Sequence, residues 1–382
     1  MHNPHNFRVP PELIFQTNCG DWMCVETFMK AIEARTLQLA CNPFGPFVWS
    51  VESPPYTRLE WRNWPILRDA LMKLSVMMIT YNHEQFISQA LNSILAQRVN
   101  FDYEIVVGED CSTDGTRKVL MDFHLRYPQR IVPLLRDKNI GALQNMGATL
   151  AACRGIYIAL LEGDDYWTDL YKLQKQADFL DRNPTSAMCC HRVQLLDPTG
   201  QERVDVYPVR AAGAYTIEDL LSENFVPACS AMVRRELIGA LPSWHSKLAM
   251  GDWPLFALVS SHGKIELMDE VMAVYRVHSG GIWSSRSSSS RLREISRMLQ
   301  VLDEHFDFKY TNTIRRTLAQ YYLDLALLER QSGNRMDTGK YLMFCLRNGG
   351  FRFPNRILGG LAAYALIGSW YKLFSRASSM GV

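Results

Sequence analysis

The run Ile156-Tyr-Ile-Ala-Leu-Leu161 ends directly in Glu162-Gly-Asp164-Asp165, which sets three carboxylates within four residues at the tip of a continuous apolar stretch. Such a stretch reads as a strand buried on both faces of a parallel sheet, with the acids at its carboxyl end. In open α/β sheets that edge is where ligands bind. Crowded carboxylates repel one another unless a cation or a shared proton compensates, and a hard divalent ion such as Mg²⁺ or Mn²⁺ is the natural compensator. A metal at the mouth of a parallel sheet points to phosphate chemistry.

The elements that must position these acids are legible upstream. Leu74-Ser-Val-Met-Met-Ile79 predicts a buried strand, and Gln85 to Gln97 places Phe86, Ile87, Ala90, Leu91, Ile94 and Leu95 on one helical face. Tyr103-Glu-Ile-Val-Val107 predicts a second strand, followed by a helix from Thr116 to Tyr127 that Pro128 stops. Ile131 to Leu135 predicts a third strand and Ile140 to Cys153 another helix. This alternation predicts a mostly parallel sheet covered by helices. Further on, Tyr171 to Arg182 and Asp252 to Ser261 read as helices, and Ala187 to Leu196, Ser230 to Val233 and Val271 to Tyr275 as strands. Ser284 to Ser290, six serines in seven positions, reads as a flexible loop that ends the catalytic domain.

The chain of 382 residues is 47% hydrophobic and 21% charged, enough for a full core and one or two domains. Forty-one basic against thirty-nine acidic residues leave a net charge of +2, which gives no footprint for nucleic acid. The nine cysteines, without a Cys-x-x-Cys pair, favour reduced thiols and a cytoplasmic location. The first thirty residues lack the apolar core of a secretory signal. Residues 1–72 show no clear period and carry four tryptophans (Trp22, Trp49, Trp61, Trp64), with a candidate helix over Cys24 to Leu39. They read as an N-terminal extension to which no chemistry is assigned. Residues 73–290 read as the catalytic domain and 291–382 as a helical region. Within the latter, Leu358 to Tyr371 is apolar over about fourteen residues, short of the roughly twenty a membrane span takes. Arg352, Arg356, Lys372 and Arg376 flank it, so peripheral contact with the inner face of a membrane stands beside packing as a terminal helix.

The first predicted strand runs into Thr80-Tyr-Asn-His83 and the second into Gly108-Glu-Asp110-Cys-Ser-Thr-Asp-Gly-Thr116. With these motifs in order, residues 74–285 resemble the family 2 glycosyltransferases. Members have the GT-A fold, a Rossmann-like α/β architecture, and transfer a sugar from a nucleotide-sugar donor with inversion. The resemblance implies that Thr80 and Tyr81 line the nucleotide site, and that Glu109-Asp110, where the family usually has two aspartates, bonds the base and ribose. A carboxylate can accept from a uracil imide or a ribose hydroxyl, so this chemistry also stands on its own. Asp110, Ser112 and Asp114 serve equally as a turn that caps the next helix. Asn139-Ile-Gly141, with Asn145 four residues beyond, resembles a segment that passes close to the donor.

Glu162-Gly-Asp164-Asp165 takes the place of the family's D-x-D type motif, whose carboxylates bind a divalent metal, Mn²⁺ or Mg²⁺, under the donor diphosphate. Asp164 is the expected ligand, Glu162 a second, and Asp165 a contact to sugar or diphosphate. Met250-Gly-Asp252-Trp-Pro-Leu255 stands where members carry E-D; Gly251 replaces the glutamate, and Asp252 keeps the place of the general base. Asp252 also suits a helix N-cap ahead of Pro254. Tyr275-Arg-Val-His278 resembles the family's R-x-H segment, which implies Arg276 at the diphosphate and His278 on the metal. The expected activity is sugar transfer to the hydroxyl of a glycan or lipid-linked acceptor in cell-surface polysaccharide synthesis. Two rivals are a sugar nucleotidyltransferase, which would need a glycine-rich basic loop after the first strand, and a degenerate glycan- or nucleotide-binding scaffold.

Overall fold

The computed structural model describes residues 14–16, 22–24, 72–196, 202–349 and 357–364. The chain divides into two units, Met1–Leu71 and Met72–Val382. In the first, strands β1 (Ile14–Gln16) and β2 (Trp22–Cys24) pair antiparallel. The helix expected from Cys24 onward lies outside the described residues, apart from Cys24 itself, which ends β2.

The second unit is built on a sheet of ten strands. Strands β3 (Leu74–Thr80), β4 (Tyr103–Glu109), β5 (Ile131–Leu135) and β6 (Tyr157–Leu160) lie parallel in the order β6-β3-β4-β5. The chain lays down β3, β4 and β5 in one direction and then returns to place β6 on the other side of β3. That reversal opens a crevice beyond the carboxyl ends of β3 and β6, the position where open α/β sheets bind ligands.

Helices α1 (Ile87–Leu95), α2 (Thr116–Arg126) and α3 (Ala142–Ala152) make the crossovers, and α4 (Lys172–Arg182) follows β6. Alternate residues of each parallel strand feed opposite faces. Leu74, Val76 and Met78 join α1, α2 and α4 in one apolar cluster, while Met77 joins α3 in the other. Burying both faces is what makes these strands read as unbroken apolar runs.

The rest of the sheet is mixed. β11 (Met232–Arg234) runs antiparallel between β6 and β8 (Ser186–Leu196), β12 (Lys264–Arg276) lies parallel to β8, and β10 (Gly213–Tyr215) closes the edge. β7 (Tyr166–Trp167) pairs with β12 and β9 (Glu202–Tyr207) with β8. Helices α5 (Ile217–Ser222) and α6 (Asp252–Ser260) cover this half. Of the predicted strand Ser230 to Val233, only Met232 and Val233 are in β11, and Ser230 belongs to a short 3-10 turn. The strand predicted over Val271 to Tyr275 is the second half of β12, whose pairing with β8 shifts register between Met268 and Val271.

Three helices follow: α7 (Ser288–His305), α8 (Thr311–Gln331) and α9 (Arg335–Arg347). The serine tract expected to be a flexible loop is helical from Ser288, because Ser287 caps the helix by accepting the Ser290 N–H. Leu299, Leu302, Ile314, Leu318 and Leu325 lie in the same apolar cluster as Met188, Phe256 and Ile265 of the sheet half. Residues 357–364 are helical, with Leu358 and Leu361 in that cluster. The described part of the Leu358 to Tyr371 segment therefore turns leucines inward, and residues beyond 364 lie outside the described set. Among the described residues no helix is long and apolar enough to cross a membrane.

Candidate active site

Strand β3 ends at Thr80, and the acid loop that leaves β6 is fastened to it: Leu161 N–H donates to Met77 O and Gly163 N–H to Ile79 O, each at 3.1 Å. A β-carbon on Gly163 would lie 2.6 Å from Thr80 Oγ1 and 2.8 Å from His83 Nδ1. Glycine is what lets the loop lie this close. Thr80, Glu162, Asp164 and Asp165 are thereby held around one crevice.

Asp164 sits between two imidazoles. Its Oδ2 accepts from His278 Nε2 at 3.0 Å and lies 3.7 Å from His83 Nε2. Burial pushes this carboxyl up, but the His278 hydrogen bond and the charge of the two histidines outweigh it and hold Asp164 below its ordinary value. Glu162 and Asp165 go the other way. Burial, then the charges of Asp164 and Asp252, raises Glu162 to about 8. Burial, then Asp164 and Glu162, raises Asp165 well above the usual carboxylate range. Asp165 Oδ1 accepts the Arg276 N–H at 2.8 Å, which ties the acid loop to the end of β12.

Arg276 reinforces that tie. Its guanidinium donates to the Asp164 carbonyl and to Gln89 Oε1 and stacks against Phe86 and Tyr166 at 5.0 and 4.5 Å. Expected at the diphosphate, this arginine is engaged in holding Asp164. The ring of His278 rests 5.0 Å from that of Phe86.

Asp252 is the first residue of α6, and Gly251 holds the N-cap position in place of the N-cap expected at Asp252. Burial raises its carboxyl, opposed by the backbone N–H groups of Asp252 and Trp253. Its charge is felt by Glu162 and by Tyr275, which puts it on the same crevice. A β-carbon at Gly251 would come within 2.6 Å of Leu143 Cδ2 and Met146 Sδ. Side chains of α3 fill the space that the glutamate of the E-D pair expected from the resemblance would need.

The residues expected around the nucleotide divide into two groups. Tyr81 and Asn139 are exposed, and Asp110 supports the turn that follows Asn139, its Oδ1 accepting Ile140 N–H at 2.8 Å and its Oδ2 accepting Gly141 N–H at 2.9 Å. Gly141, at φ +87°, occupies backbone space that favours glycine. Glu109 and Asn145 are instead committed internally. Glu109 Oε1 accepts Ser112 N–H and Oε2 accepts Arg117 Nε, while Asn145 donates to Gly108 O at 2.7 Å and accepts from Arg136 Nε at 3.2 Å.

His83 was not singled out by sequence. It lies in a loop as a lone histidine, and only the fold brings it to Asp164. Burial lowers its basicity, opposed by Asp164.

Three buried polar atoms in this crevice have no partner among the described residues: Thr80 Oγ1, His83 Nδ1 and Glu162 Oε2. Buried polar groups are ordinarily satisfied, so this concentration marks a place prepared for a ligand. Two donors that share a six-coordinate ion at about 2.1 Å lie roughly 3 Å apart, the Asp164–His278 separation. Among the described residues no group of three or more His, Cys, Asp or Glu side chains is arranged to hold a metal. Mg²⁺-type ions commonly take one or two protein carboxylates and complete their shell with substrate phosphates, so the donors present fit such an ion.

Comparison with known proteins agrees with this architecture. Residues 75–241 match the family model described as Glycosyl transferase family 2. An uncharacterized protein of Mycobacterium tuberculosis, Rv1520, is 38% identical over 221 residues, covering 57% of this chain and 62% of that protein. The chain thus spans under two thirds of that relative's length. TuaG of Bacillus subtilis, provisionally named a teichuronic acid biosynthesis glycosyltransferase, is 26% identical over 59% of this chain and 89% of its own. The crystal structure of Staphylococcus aureus TarS 1-349 in complex with UDP-GlcNAc superposes with a TM-score of 0.53 at 19% identity, covering 77% of this chain and 88% of that one. That likeness shows the fold, and the GT-A architecture expected from sequence is the one found. Residues 75–241 of this chain belong to glycosyl transferase family 2.

Proposed function

We propose that this chain transfers a sugar from a nucleoside diphosphate sugar to an acceptor hydroxyl with inversion, in the synthesis of a cell-surface glycan. One observation carries the reading: within a single crevice, Asp164 is held below its ordinary protonation range while Asp252 and Glu162 are raised above theirs. Carboxyls pushed apart in this way divide into charge-bearing and proton-handling roles. Asp252 is the proton-handling one. Burial makes it a stronger base than a free aspartate, suited to remove the acceptor proton as the hydroxyl oxygen attacks the anomeric carbon. Attack opposite the leaving diphosphate inverts that centre, and no covalent enzyme intermediate is required.

Asp164 and His278 would hold the divalent ion, which when bound would supply positive charge against the diphosphate, with the proton-bearing Glu162 on the same loop. Thr80, Tyr81, Asp110, Asn139 and Gly141 form the nucleotide side, with Glu109 and Asn145 fixing the loops that carry them. Arg276 and Asp165 hold the acid loop in register. Because TarS was crystallised with UDP-GlcNAc, uridine diphosphate sugars are the first donors to test, and the names of TuaG and TarS support a cell-surface polymer as destination. Cys111, Cys153, Cys189, Cys190 and Cys229 are free thiols and the last four are buried, which supports a reducing, cytoplasmic compartment.

The test incubates the protein with Mn²⁺ or Mg²⁺ and a panel of nucleotide sugars, and measures nucleoside diphosphate released with and without acceptors. Release that is lost in Asp252→Asn and Asp164→Ala and suppressed by chelator is expected. Equal release from parent and variants would discard the assigned roles. Pyrophosphate formed from a sugar phosphate and a nucleoside triphosphate would reassign the chain as a nucleotidyltransferase.

A further inference from the structure

Charge is unevenly spread along this chain. Against a net +2 overall, residues 291–382 carry fourteen basic and seven acidic side chains, which leaves the remainder net acidic. The excess grows toward the end, where residues 338–382 hold six Lys or Arg and no Asp or Glu. A nearly neutral protein thus has one locally basic region.

Helix α9 shows where part of that charge is displayed. Met336, Lys340, Met343 and Arg347 recur at spacings of four, three and four, so they share one narrow face. That face points outward: Met336 is 69% and Met343 44% exposed, and Lys340 and Arg347 are exposed with them. The opposite face puts Tyr341, Leu342 and Cys345 into the core shared with α8. At the carboxyl end of the helix, exposed Arg315 of α8 adds a further cation, its Nη2 donating to Arg347 O at 2.7 Å. At the amino end, the guanidinium groups of Arg330 and Arg335 lie 5.6 and 5.1 Å from the Tyr364 ring centre. The chain beyond Tyr364 therefore departs beside the start of α9, and its sequence, with Trp370, Tyr371, Lys372 and Arg376, is again basic and aromatic. Leu358 and Leu361, which the sequence offered to lipid, are instead committed to the core.

We propose that the outer face of α9 docks on the surface of a bilayer that contains anionic lipid. Its cations meet headgroup phosphates, and the two methionines enter the apolar boundary just beneath them. A nucleic acid would satisfy Lys340, Arg347 and Arg315 equally well but would leave the methionines in water. A bilayer uses both. This goes beyond the glycosyl-transfer reading and does not depend on it, since docking requires neither donor nor acceptor.

The experiment sediments the full chain with vesicles of phosphatidylcholine, alone or mixed with phosphatidylglycerol, in the absence of donor. Binding to the mixed vesicles only, weakened by added salt, is expected. Lys340→Gln combined with Arg347→Gln should weaken it by about fivefold for each charge removed. Met336→Ser combined with Met343→Ser leaves the charge unchanged and should still weaken binding, which separates a bilayer from a polyanion. Lys118→Gln combined with Arg126→Gln removes the same charge from exposed positions on α2 and should keep binding within about twofold of the parent. All these side chains are exposed, so thermal unfolding of each variant should match the parent and keep folding out of the comparison. Failure to bind the mixed vesicles overturns the proposal, as does binding that either α9 pair leaves unchanged or that the α2 pair weakens equally. A dimer in sedimentation equilibrium that Met336→Ser with Met343→Ser dissociates would give the face to a second copy and also overturn it.

Discussion

Two groups of acids flank the same strand. Glu109 ends β4 and Asp110 follows it on one side of β3, and Glu162, Asp164 and Asp165 follow β6 on the other. The first pair is saturated: four carboxylate oxygens take two backbone N–H groups from the 139–141 turn, one from Ser112, and the Arg117 guanidinium. The second group is undersupplied, with an orphaned Glu162 oxygen and two carboxyls raised by burial and by each other. Acids of one chemical type thus act as fasteners where donors surround them, and are left free for other chemistry where donors are withheld.

The sharpest way to test that contrast is at Asp252, whose raised carboxyl belongs with the undersupplied group. Asp252→Asn should lower turnover roughly 10²–10⁴-fold, the range general bases contribute, without a loss of thermal stability. A variant that unfolds earlier than the parent would place Asp252 among the fasteners.

The next effect depends on pH. Glu162 binds its proton more tightly in the folded protein, near 8 against 4.5 for a free glutamate, so the stability that proton provides is complete below pH 4.5 and is lost as pH rises toward 8. Glu162→Gln escapes the loss. Without divalent ions it should match the parent at pH 4.5 and exceed it at pH 8 by on the order of a few kcal/mol. Denaturant unfolding at several pH values checks this, and a gap that is flat with pH would contradict it.

Substitutions on the saturated side should behave oppositely. Glu109→Gln cannot satisfy both Ser112 N–H and Arg117, and should cost about 2 kcal/mol at neutral pH in the same unfolding assay. Asp110→Asn surrenders one of two backbone acceptors and should cost about 1 kcal/mol, with a weaker grip on the 139–141 turn visible as faster amide exchange at Gly141. If either variant proves as stable as the parent, the fastening role is disproved.

The parallel half was readable because each parallel strand is buried on both faces and each crossover helix carries an apolar stripe, as in Leu74–Thr80 and Ile87–Leu95. The other half hid its strands. β9 interleaves Glu202, Arg203 and Asp205 with its apolar residues, and β12 carries Asp269 and Glu270 where its register slips, so neither presents an apolar run. The acids of the crevice were visible as a cluster. His83 was not, because a single histidine has no periodic signal and acquires its partner Asp164 only through long-range packing. Glu109 and Asn145 show the converse: motif position suggested ligand contact, and the hydrogen bonds reveal internal braces.

Helix α8 belongs to two structures at once. Leu318, Tyr322 and Leu325 lie in the core that the helices share with the sheet, and Tyr321 packs against that core from a partly buried position. Substitution along this helix would therefore be work on the keel of the molecule. Changes are tolerable at the exposed Gln320, but Tyr321, partly buried against the same core, and the apolar residues one step around the helix hold the sheet and the helical region together.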